Sequence, residues 1–208
     1  PLIIGLDCGT SDKWKACMIE QLDPRGILLV FAEMVTTSPG LRNFAKHILM
    51  EIKIRFPKIQ QVRWFGDPAM FTKSQTDNKS PADIFKEEGV IVYPGESSEA
   101  VRQDAVVQVM SRELDGSAGM LIDGANCPIF VQGFLGGYRY KIREELHGHY
   151  SKGVVKDKFS HPHNAHEYLC SRLAFVKANR NQAQDRAKIR ARNPHLFPQQ
   201  EKMPGIRH

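Results

Sequence analysis

The chain has 208 residues, of which 41% are hydrophobic and 25% are charged, as in a globular protein with one sizeable core. No apolar run approaches the roughly 20 residues of a membrane span, and there is no signal peptide, so we expect no membrane association and no secretion. The net charge of +6 favours a polyanionic partner, most simply nucleic acid. Because the chain opens on Pro1 directly before a strand, we interpret it as a piece of a longer protein or a processed product.

Four cysteines are scattered along the sequence: Cys8, Cys17, Cys127 and Cys170. They form no CxxC pair, which argues against a disulfide scaffold and against a cysteine zinc site. This usage is typical of proteins in a reducing cytoplasm.

The first third of the chain predicts an antiparallel meander, because its three apolar runs are separated by short turns. Asp23-Pro24-Arg25-Gly26 has the composition of a hairpin turn. The predicted elements here are strands over Leu2–Thr10, Trp14–Glu20 and Ile27–Val35, a helix over Leu41–Phe56, and a strand over Gln61–Phe65.

From there helices and strands alternate. The predicted elements are a helix from Ser80-Pro81 to Glu88, a strand over Val90–Tyr93, a helix from Ser97 or Ser98 to about Arg112, a strand over Met120–Asp123, a short helix over Pro128–Leu135, a hairpin over about 138–155, and a helix from about Pro162 to Lys177. We assign 1–178 to one folded domain. Residues 179–208 are basic and rich in proline, which predicts a flexible tail.

The first strand carries a single carboxylate, Asp7, between two glycines. A buried aspartate costs several kcal/mol unless it is paired or holds a metal. Lys13 and Lys15 are too close in sequence to reach back to it comfortably, so a cation from solution is one candidate partner. The alternative is that Asp7 caps the strand and accepts hydrogen bonds from the turn at Gly9–Ser11.

Three antiparallel strands followed by β-α units resemble the ribonuclease-H-like fold, a mixed α/β sheet flanked by helices, here with an added β-hairpin. The resemblance implies one acidic residue in the first strand and another at the end of the fourth, which are Asp7 and Asp67. Both would lie where strands leave a buried sheet, so they can converge. Asp123 also ends a strand, but Gly124 follows it into a turn, and we interpret Asp123 as structural.

Two converging carboxylates suit Mg²⁺ or Mn²⁺, which keep several waters and take phosphate oxygens as further ligands. With two ions bound, one generates the hydroxide nucleophile and the other stabilises the leaving oxygen. Such a site needs a third acidic group, which this fold supplies from its final helix, here within Phe159–Tyr168.

Four motifs resemble the nuclease domain of the large terminase subunit of tailed bacteriophages, over nearly the whole chain. The resemblance implies a metal-dependent endonuclease that cuts concatemeric double-stranded DNA with two Mg²⁺ or Mn²⁺ ions, in the cytoplasm of the infected bacterium. It also implies an N-terminal packaging ATPase in the full protein, a small terminase subunit and a portal as partners. No GxxxxGK[ST] loop occurs in this sequence, so that motor is absent from it. The motifs are IGLDCG with Asp7, FGDPA with Asp67, IDGANCPIFVQGFLGGYRY at Ile122–Tyr140 and DKFSHPHNAHEYL at Asp157–Leu169.

One position departs from the family pattern. Where the family carries its third metal-binding aspartate, this sequence has Asn164. An asparagine still offers one neutral oxygen but removes a full charge, so metal affinity and cleavage rate should fall. Glu167, one turn further along, could substitute, and His161 could bind metal or orient the attacking water. The alternative for each of these two is an ordinary surface or helix-start residue.

Three rival interpretations remain. The first is a DNA-holding module without catalysis, which Asn164 makes worth keeping. Basic side chains on the predicted hairpin and on the segment after it would bind DNA phosphates without contacting the bases. The alternative for any one of these side chains is that it is simply exposed to solvent. They are Lys141, Arg143, Lys152, Lys156 and Lys158.

The second rival is an actin-like or sugar-kinase ATP-binding domain, because IGLDCGTSDKWKA also resembles the first phosphate loop of those enzymes. They need two such domains and a second phosphate loop, for which this chain is too short. The third is a zinc site, but the histidines fit no standard spacing, and we expect them to be solvated or to lie at a helix start. They are His147, His149, His161, His163 and His166.

Overall fold

The strand that carries Asp7 is paired on both sides within a six-stranded mixed sheet. The computed structural model describes residues 1–8, 14–38, 40–75, 78–142 and 150–173. The strands are β1 (Leu2–Asp7), β2 (Lys15–Leu22), β3 (Leu28–Thr36), β4 (Val62–Gly66), β5 (Val92–Pro94), β6 (Glu113–Leu114), β7 (Ser117–Ala118), β8 (Met120–Ile122), β9 (Tyr140–Ile142) and β10 (Tyr150–Val154). The helices are α1 (Leu41–Arg55), α2 (Pro81–Glu87), α3 (Glu99–Met110), α4 (Pro128–Gln132) and α5 (Ser160–Cys170).

The antiparallel meander β1-β2-β3 is confirmed, and so is the predicted mixed α/β sheet flanked by helices. The Asp23–Gly26 turn closes as predicted: the amide of Gly26 donates to the carbonyl of Asp23, and Gly26 takes the positive φ that glycine tolerates. Strands β4, β5 and β8 then add in parallel to β1, β4 and β3, respectively. Parallel addition brings the carboxyl ends of β1 and β4 to the same edge.

The two faces of the sheet are covered by different helices. On one face, apolar side chains of β1 and β4 pack on α1 and α2; this cluster includes Ile4, Leu6, Trp64, Phe44, Ile48 and Phe85. On the other face, α4 and α5 cover β2 and β3 through Ala16, Met18, Val30, Phe130 and Ala165. Helix α5 also packs on β1 and β4, with α3 against its other side.

Helix α5 is enclosed, and every one of its residues from Ser160 to Cys170 is buried. A helix that is buried all round usually carries few polar groups, yet α5 contains three histidines, an asparagine and a glutamate. Each of these side chains therefore needs a partner inside the protein. The expectation that His161, His163 and His166 are solvated is wrong, because all three are buried. The alternative of a helix start holds for His161 and His163, which lie in the first turn of α5.

Several boundaries differ from prediction. Helix α5 ends at Cys170 rather than near Lys177, and β5 begins at Val92 rather than Val90. A 3-10 helix at Pro68–Phe71 and the small β6–β7 hairpin were not predicted, because both are short turns held by local hydrogen bonds. The predicted hairpin exists as β9 paired with β10, and its tip lies outside the described residues.

The described residues fall in one unit, Pro1–Leu173. The prediction of a basic tail over 179–208 concerns residues outside that description and stays a prediction. All four cysteines are free and buried. Within the described part of the chain, no helix is long and apolar enough to span a membrane.

The contact between β1 and α5 depends on Gly5. A Cβ added there would lie 2.2 Å from the carbonyl oxygen of Ala165, closer than any real contact. We expect Gly5→Ala to displace α5 from the sheet. The free energy of unfolding should fall by about 1–3 kcal/mol, as it does for other substitutions that overpack a core. Urea denaturation measures this. Gly124→Ala is the control, because its added Cβ meets nothing within 4 Å; equal stability of the two variants would contradict the close approach.

Candidate active site

Asp7 and Asp67 lie side by side at the carboxyl ends of two adjacent parallel strands. The register pairs Leu6 of β1 with Gly66 of β4, and the amide of Asp67 donates to the carbonyl of Leu6 (3.2 Å). Asp7 is 4% exposed, whereas Asp67 is half-buried. The two carboxylates are close enough for the charge of Asp7 to raise the pKa of Asp67, second only to burial among the causes that raise it.

Helix α5 brings the third predicted residue to the same place. The amide Nδ2 of Asn164 donates to Oδ2 of Asp7 at 3.1 Å, and Nδ1 of His161 lies 3.1 Å from the same oxygen. Asn164 and His161 are both 2% exposed. The structure therefore gathers four of the predicted residues, Asp7, Asp67, Asn164 and His161, at one edge of the sheet.

Asp67 is held from two sides. Its Oδ1 accepts a hydrogen bond from the amide of Ala69 at 2.8 Å, which caps the 3-10 helix. The hydroxyl of Tyr168 also lies close enough to this carboxylate to lower the pKa of Asp67, although less strongly than burial raises it. Burial, then the charges of Asp7 and Asp67, raise the pKa of Tyr168, so this hydroxyl remains a donor at neutral pH.

The donor set suits a hard divalent cation. Two carboxylates and one amide side chain are oxygen groups of the kind that Mg²⁺ and Mn²⁺ bind; Asp7 and Asn164 are buried and Asp67 is half-buried. Among the described residues, no lysine or arginine forms an ion pair with Asp7 or Asp67. Within the same part of the chain, no three His, Cys, Asp or Glu side chains are grouped to hold a metal; the third group beside the two carboxylates is the amide of Asn164.

Glu167 belongs to a different cluster. Its Oε2 accepts from Nε of Arg102 at 3.1 Å, and its Oε1 accepts from the hydroxyl of Tyr138 at 2.6 Å. Both Arg102 and Glu167 are buried. These bonds occupy both carboxylate oxygens of Glu167, so its arrangement does not support the suggestion that Glu167 replaces the missing aspartate.

The remaining α5 histidines have structural partners. His163 stacks on Tyr138 and lies 3.0 Å from the carbonyl of Phe130, and burial lowers its pKa to about 3. Nδ1 of His166 lies 2.8 Å from Oε1 of Glu20, and both side chains are fully buried. Burial disfavours the imidazolium of His166, but Cys170 and Glu20 outweigh it, and the pKa of His166 is raised.

This buried pair predicts a pH-dependent stability difference. The unfolded pKa of a histidine is about 6.5, and the folded pKa of His166 lies above it. The stabilising effect of the pair is therefore fully present below about pH 6.5 and is lost as pH rises through the folded pKa. We expect Glu20→Gln to lower the free energy of unfolding by about 3 kcal/mol at pH 6 and by less at pH 9.

Urea denaturation of both proteins at the two pH values measures the difference. Glu113→Gln, at an exposed residue of β6, is the control and should show no pH-dependent change. A Glu20→Gln effect that is the same at both pH values would contradict a charged Glu20–His166 pair.

The predicted basic side chains are only partly described. Lys141, Lys156 and Lys158 are exposed, and Lys158 lies over the ring of Phe159, just before α5. Arg143 and the side chain of Lys152 lie outside the described part of the chain, as do His147, His149 and the Gly9–Thr10 turn on which the kinase-like interpretation depends. Asp123 is structural as predicted: it accepts from the amides of Ala125 and Asn126.

Two residues of the site were not predicted from the sequence. Tyr168 lies within the last motif but was given no role, and Arg102 carried no signal at all, being one polar position in a helix. The fold packs the guanidinium of Arg102 over the ring of Tyr168, and both residues are distant from Asp67 in sequence.

Solved structures that are similar to this chain include two phage proteins. One is the large terminase (g2p) nuclease domain of bacteriophage SPP1 with bound Mn, at a TM-score of 0.54 and 18% identity, covering 81% of this chain and 84% of that chain. The other is the large terminase nuclease of the thermophilic phage G20c, at a TM-score of 0.51 and 13% identity, covering 82% and 81%. No protein-family model and no curated protein matches the chain.

At these identities the likeness concerns the fold. It defines the class: the chain has the RNase H-like fold, as predicted, in the form found in large terminase nuclease domains. The resemblance inferred from the four sequence motifs is thereby confirmed at the level of structure.

Proposed function

We propose that this chain is the metal-dependent endonuclease domain of a viral DNA-packaging terminase, which cuts concatemeric double-stranded DNA. The observation that carries the proposal is the pair of strand-end carboxylates, Asp7 and Asp67, which meet at one sheet edge. Two carboxylates held together in partly buried surroundings repel each other unless a cation lies between them. A nuclease fold that concentrates negative charge at this point is suited to bind metal there.

The ligands we assign are Asp7, Asp67 and the side-chain oxygen of Asn164, for two Mg²⁺ or Mn²⁺ ions. When bound, the ions would supply a hydroxide nucleophile and stabilise the leaving 3′ oxygen. His161 holds Oδ2 of Asp7 in place through Nδ1. For Asn164 to bind a metal through its oxygen, its amide nitrogen must give up its present hydrogen bond to Asp7. Because Asn164 is neutral, the site then has one negative charge fewer than a site with three carboxylates.

The partner is double-stranded DNA. Lys141, Lys156 and Lys158 are exposed on the hairpin and on the segment that leads into α5, whose first turn carries His161. With Arg143 and Lys152 from the same stretch, they would contact phosphates without reading bases, so cleavage should be largely independent of sequence and should weaken steeply with salt. We propose the packaging ATPase, the small terminase subunit and the portal as further partners, and the host cytoplasm as the location.

One observation favours a second candidate, a DNA-holding module without catalysis: the third position is Asn164, which bonds to Asp7 through nitrogen rather than presenting an oxygen. Plasmid digestion separates the two. The chain is incubated with supercoiled DNA and Mn²⁺, with and without EDTA, beside Asn164→Asp. Metal-dependent nicking by either protein supports the nuclease. If both proteins slow the migration of DNA in a gel and neither nicks it, the result supports the holding module.

A further inference from the structure

We propose that Tyr168, Arg102 and Glu167 form a positioning network that orients Asp67 for metal binding and ties it to the root of the β9–β10 hairpin. The inference rests on the proposed function and deepens it, since it assigns to the same site residues that touch neither metal nor DNA. Their contacts form a continuous path from Tyr138, at the start of the hairpin, to the carboxylate of Asp67.

The first link is the packing of Tyr168 beside Asp67. The Tyr168 ring lies against Gly95, and the amide of Gly95 donates to the carbonyl of Gly66, the residue before Asp67, at 2.7 Å. The amide of Ala69 binds Oδ1 of Asp67, and the nearby hydroxyl of Tyr168 interacts with the same carboxylate. Both groups therefore restrict the rotation of a side chain that has only two torsions. Groups that hydrogen-bond a metal ligand set its orientation and are worth about 10–100-fold in metal affinity or activity.

The second link fixes the ring of Tyr168. The guanidinium of Arg102 lies over the ring, with its central carbon 4.5 Å from the ring centroid. On another side the chain approaches so closely at Gly95 that an added Cβ would lie 2.6 Å from a ring carbon. The ring therefore has no room to swing its hydroxyl away from Asp67.

The third link fixes Arg102. Its Nη1 donates to the carbonyls of Glu96 and Ser97, and its Nε donates to Glu167 at 3.1 Å. Arg102 is 6% exposed and Glu167 is 2% exposed, so either charge without the other would be strongly destabilising. The planar guanidinium suits both tasks, because it stacks on the tyrosine and pairs with the carboxylate at once.

The last link reaches the hairpin. Oε1 of Glu167 accepts a 2.6 Å hydrogen bond from the hydroxyl of Tyr138, and Tyr138 lies just before β9. Two residues on, the hydroxyl of Tyr140 donates to Gln103, the neighbour of Arg102 on α3. The root of the hairpin is thus attached to the helix that carries Arg102. A displacement of the hairpin by bound DNA would therefore be transmitted through Arg102 and Tyr168 and change the orientation of the Asp67 carboxylate.

The test uses Tyr168→Phe and Tyr138→Phe, which remove one hydroxyl each and keep both rings. Titration calorimetry measures Mn²⁺ affinity, in Asn164→Asp and in the same protein carrying each change. We expect Tyr168→Phe to weaken Mn²⁺ binding about 10-fold. Tyr93→Phe, at an exposed tyrosine of β5, is the matched control and should bind as before.

A double-mutant cycle tests whether the two hydroxyls act through one network. In a connected network, the double variant Tyr138→Phe/Tyr168→Phe loses little more Mn²⁺ affinity than Tyr168→Phe alone. Losses that multiply would show two independent effects and overturn the network, and so would a Tyr168→Phe variant that is merely less heat-stable and binds Mn²⁺ normally.

Failure of the inference and failure of the proposed function give different results. If Asn164→Asp binds no Mn²⁺, the metal site is wrong and both fall. If Asn164→Asp binds Mn²⁺ and cuts DNA, but Tyr168→Phe leaves affinity, kcat and KM unchanged, only the positioning network is wrong.

Discussion

Asn164→Asp is expected to raise Mn²⁺-dependent plasmid cleavage by about 100-fold over the unchanged chain. The substitution restores a charged oxygen ligand beside Asp7 and Asp67. Metal ions contribute several kcal/mol to transition-state stabilisation, and we assign about 3 kcal/mol of this, or roughly 100-fold in rate, to the restored charge. The buried position of Asn164 against Asp7 means that the new carboxylate cannot turn away into water.

A second readout does not depend on catalysis. Three carboxylates at one buried edge repel one another, so Asn164→Asp should be less stable than the unchanged chain in EDTA and should be stabilised by Mn²⁺ more strongly. Thermal unfolding with and without Mn²⁺ measures both effects. Asn43→Asp adds the same charge at an exposed site on α1 and is the control.

Different failures of this experiment have different meanings. If Asn164→Asp is stabilised by Mn²⁺ but cuts no DNA, the DNA-holding interpretation gains. If it hydrolyses ATP without DNA, the kinase-like interpretation does. If Asn43→Asp is equally stabilised by Mn²⁺, the ion binds elsewhere and the site is misplaced.

Asp7→Ala is expected to abolish cleavage in the Asn164→Asp background, a loss of about 1000-fold or more, with the fold intact. Asp7 is the carboxylate on which the site converges: both His161 and Asn164 contact its Oδ2, and Asp67 lies at the end of the next strand. Its removal deletes a ligand worth several kcal/mol to the transition state. Asp7→Asn, which keeps the shape of the side chain, should lose as much activity.

The matched control is Asp123→Ala. Asp123 is also an aspartate next to a strand end, but it caps a turn by accepting from the amides of Ala125 and Asn126. Its loss should cost about 1 kcal/mol of stability, as for other lost caps, and leave cleavage unchanged. Circular dichroism and urea denaturation establish that each variant is folded. An Asp7→Ala protein that still cuts, or an Asp123→Ala protein that does not, would show that the site is wrongly placed.

Much of the fold follows from local pattern. The apolar runs of β1, β2 and β3 and the Asp23–Gly26 turn specify a meander without reference to anything distant, since strand period and turn chemistry are local properties. The same holds for the capped start of α2 at Ser80, where the side chains of Ser80 and Asp83 cap each other's backbone. The short 3-10 helix after Asp67 was missed because four residues carry too little pattern.

The sequence by itself predicted that Asp7 and Asp67 stand at the ends of strands, and its family resemblance added Asn164 on a late helix. It could not say what surrounds them, because burial is a property of packed elements. Only the tertiary structure placed α5 inside the protein, paired His166 with Glu20, and turned Glu167 toward Arg102 and Tyr138. The physical reason is that a polar side chain in a closed interior must find whichever partner lies within about 3 Å, and that partner comes from a distant part of the chain.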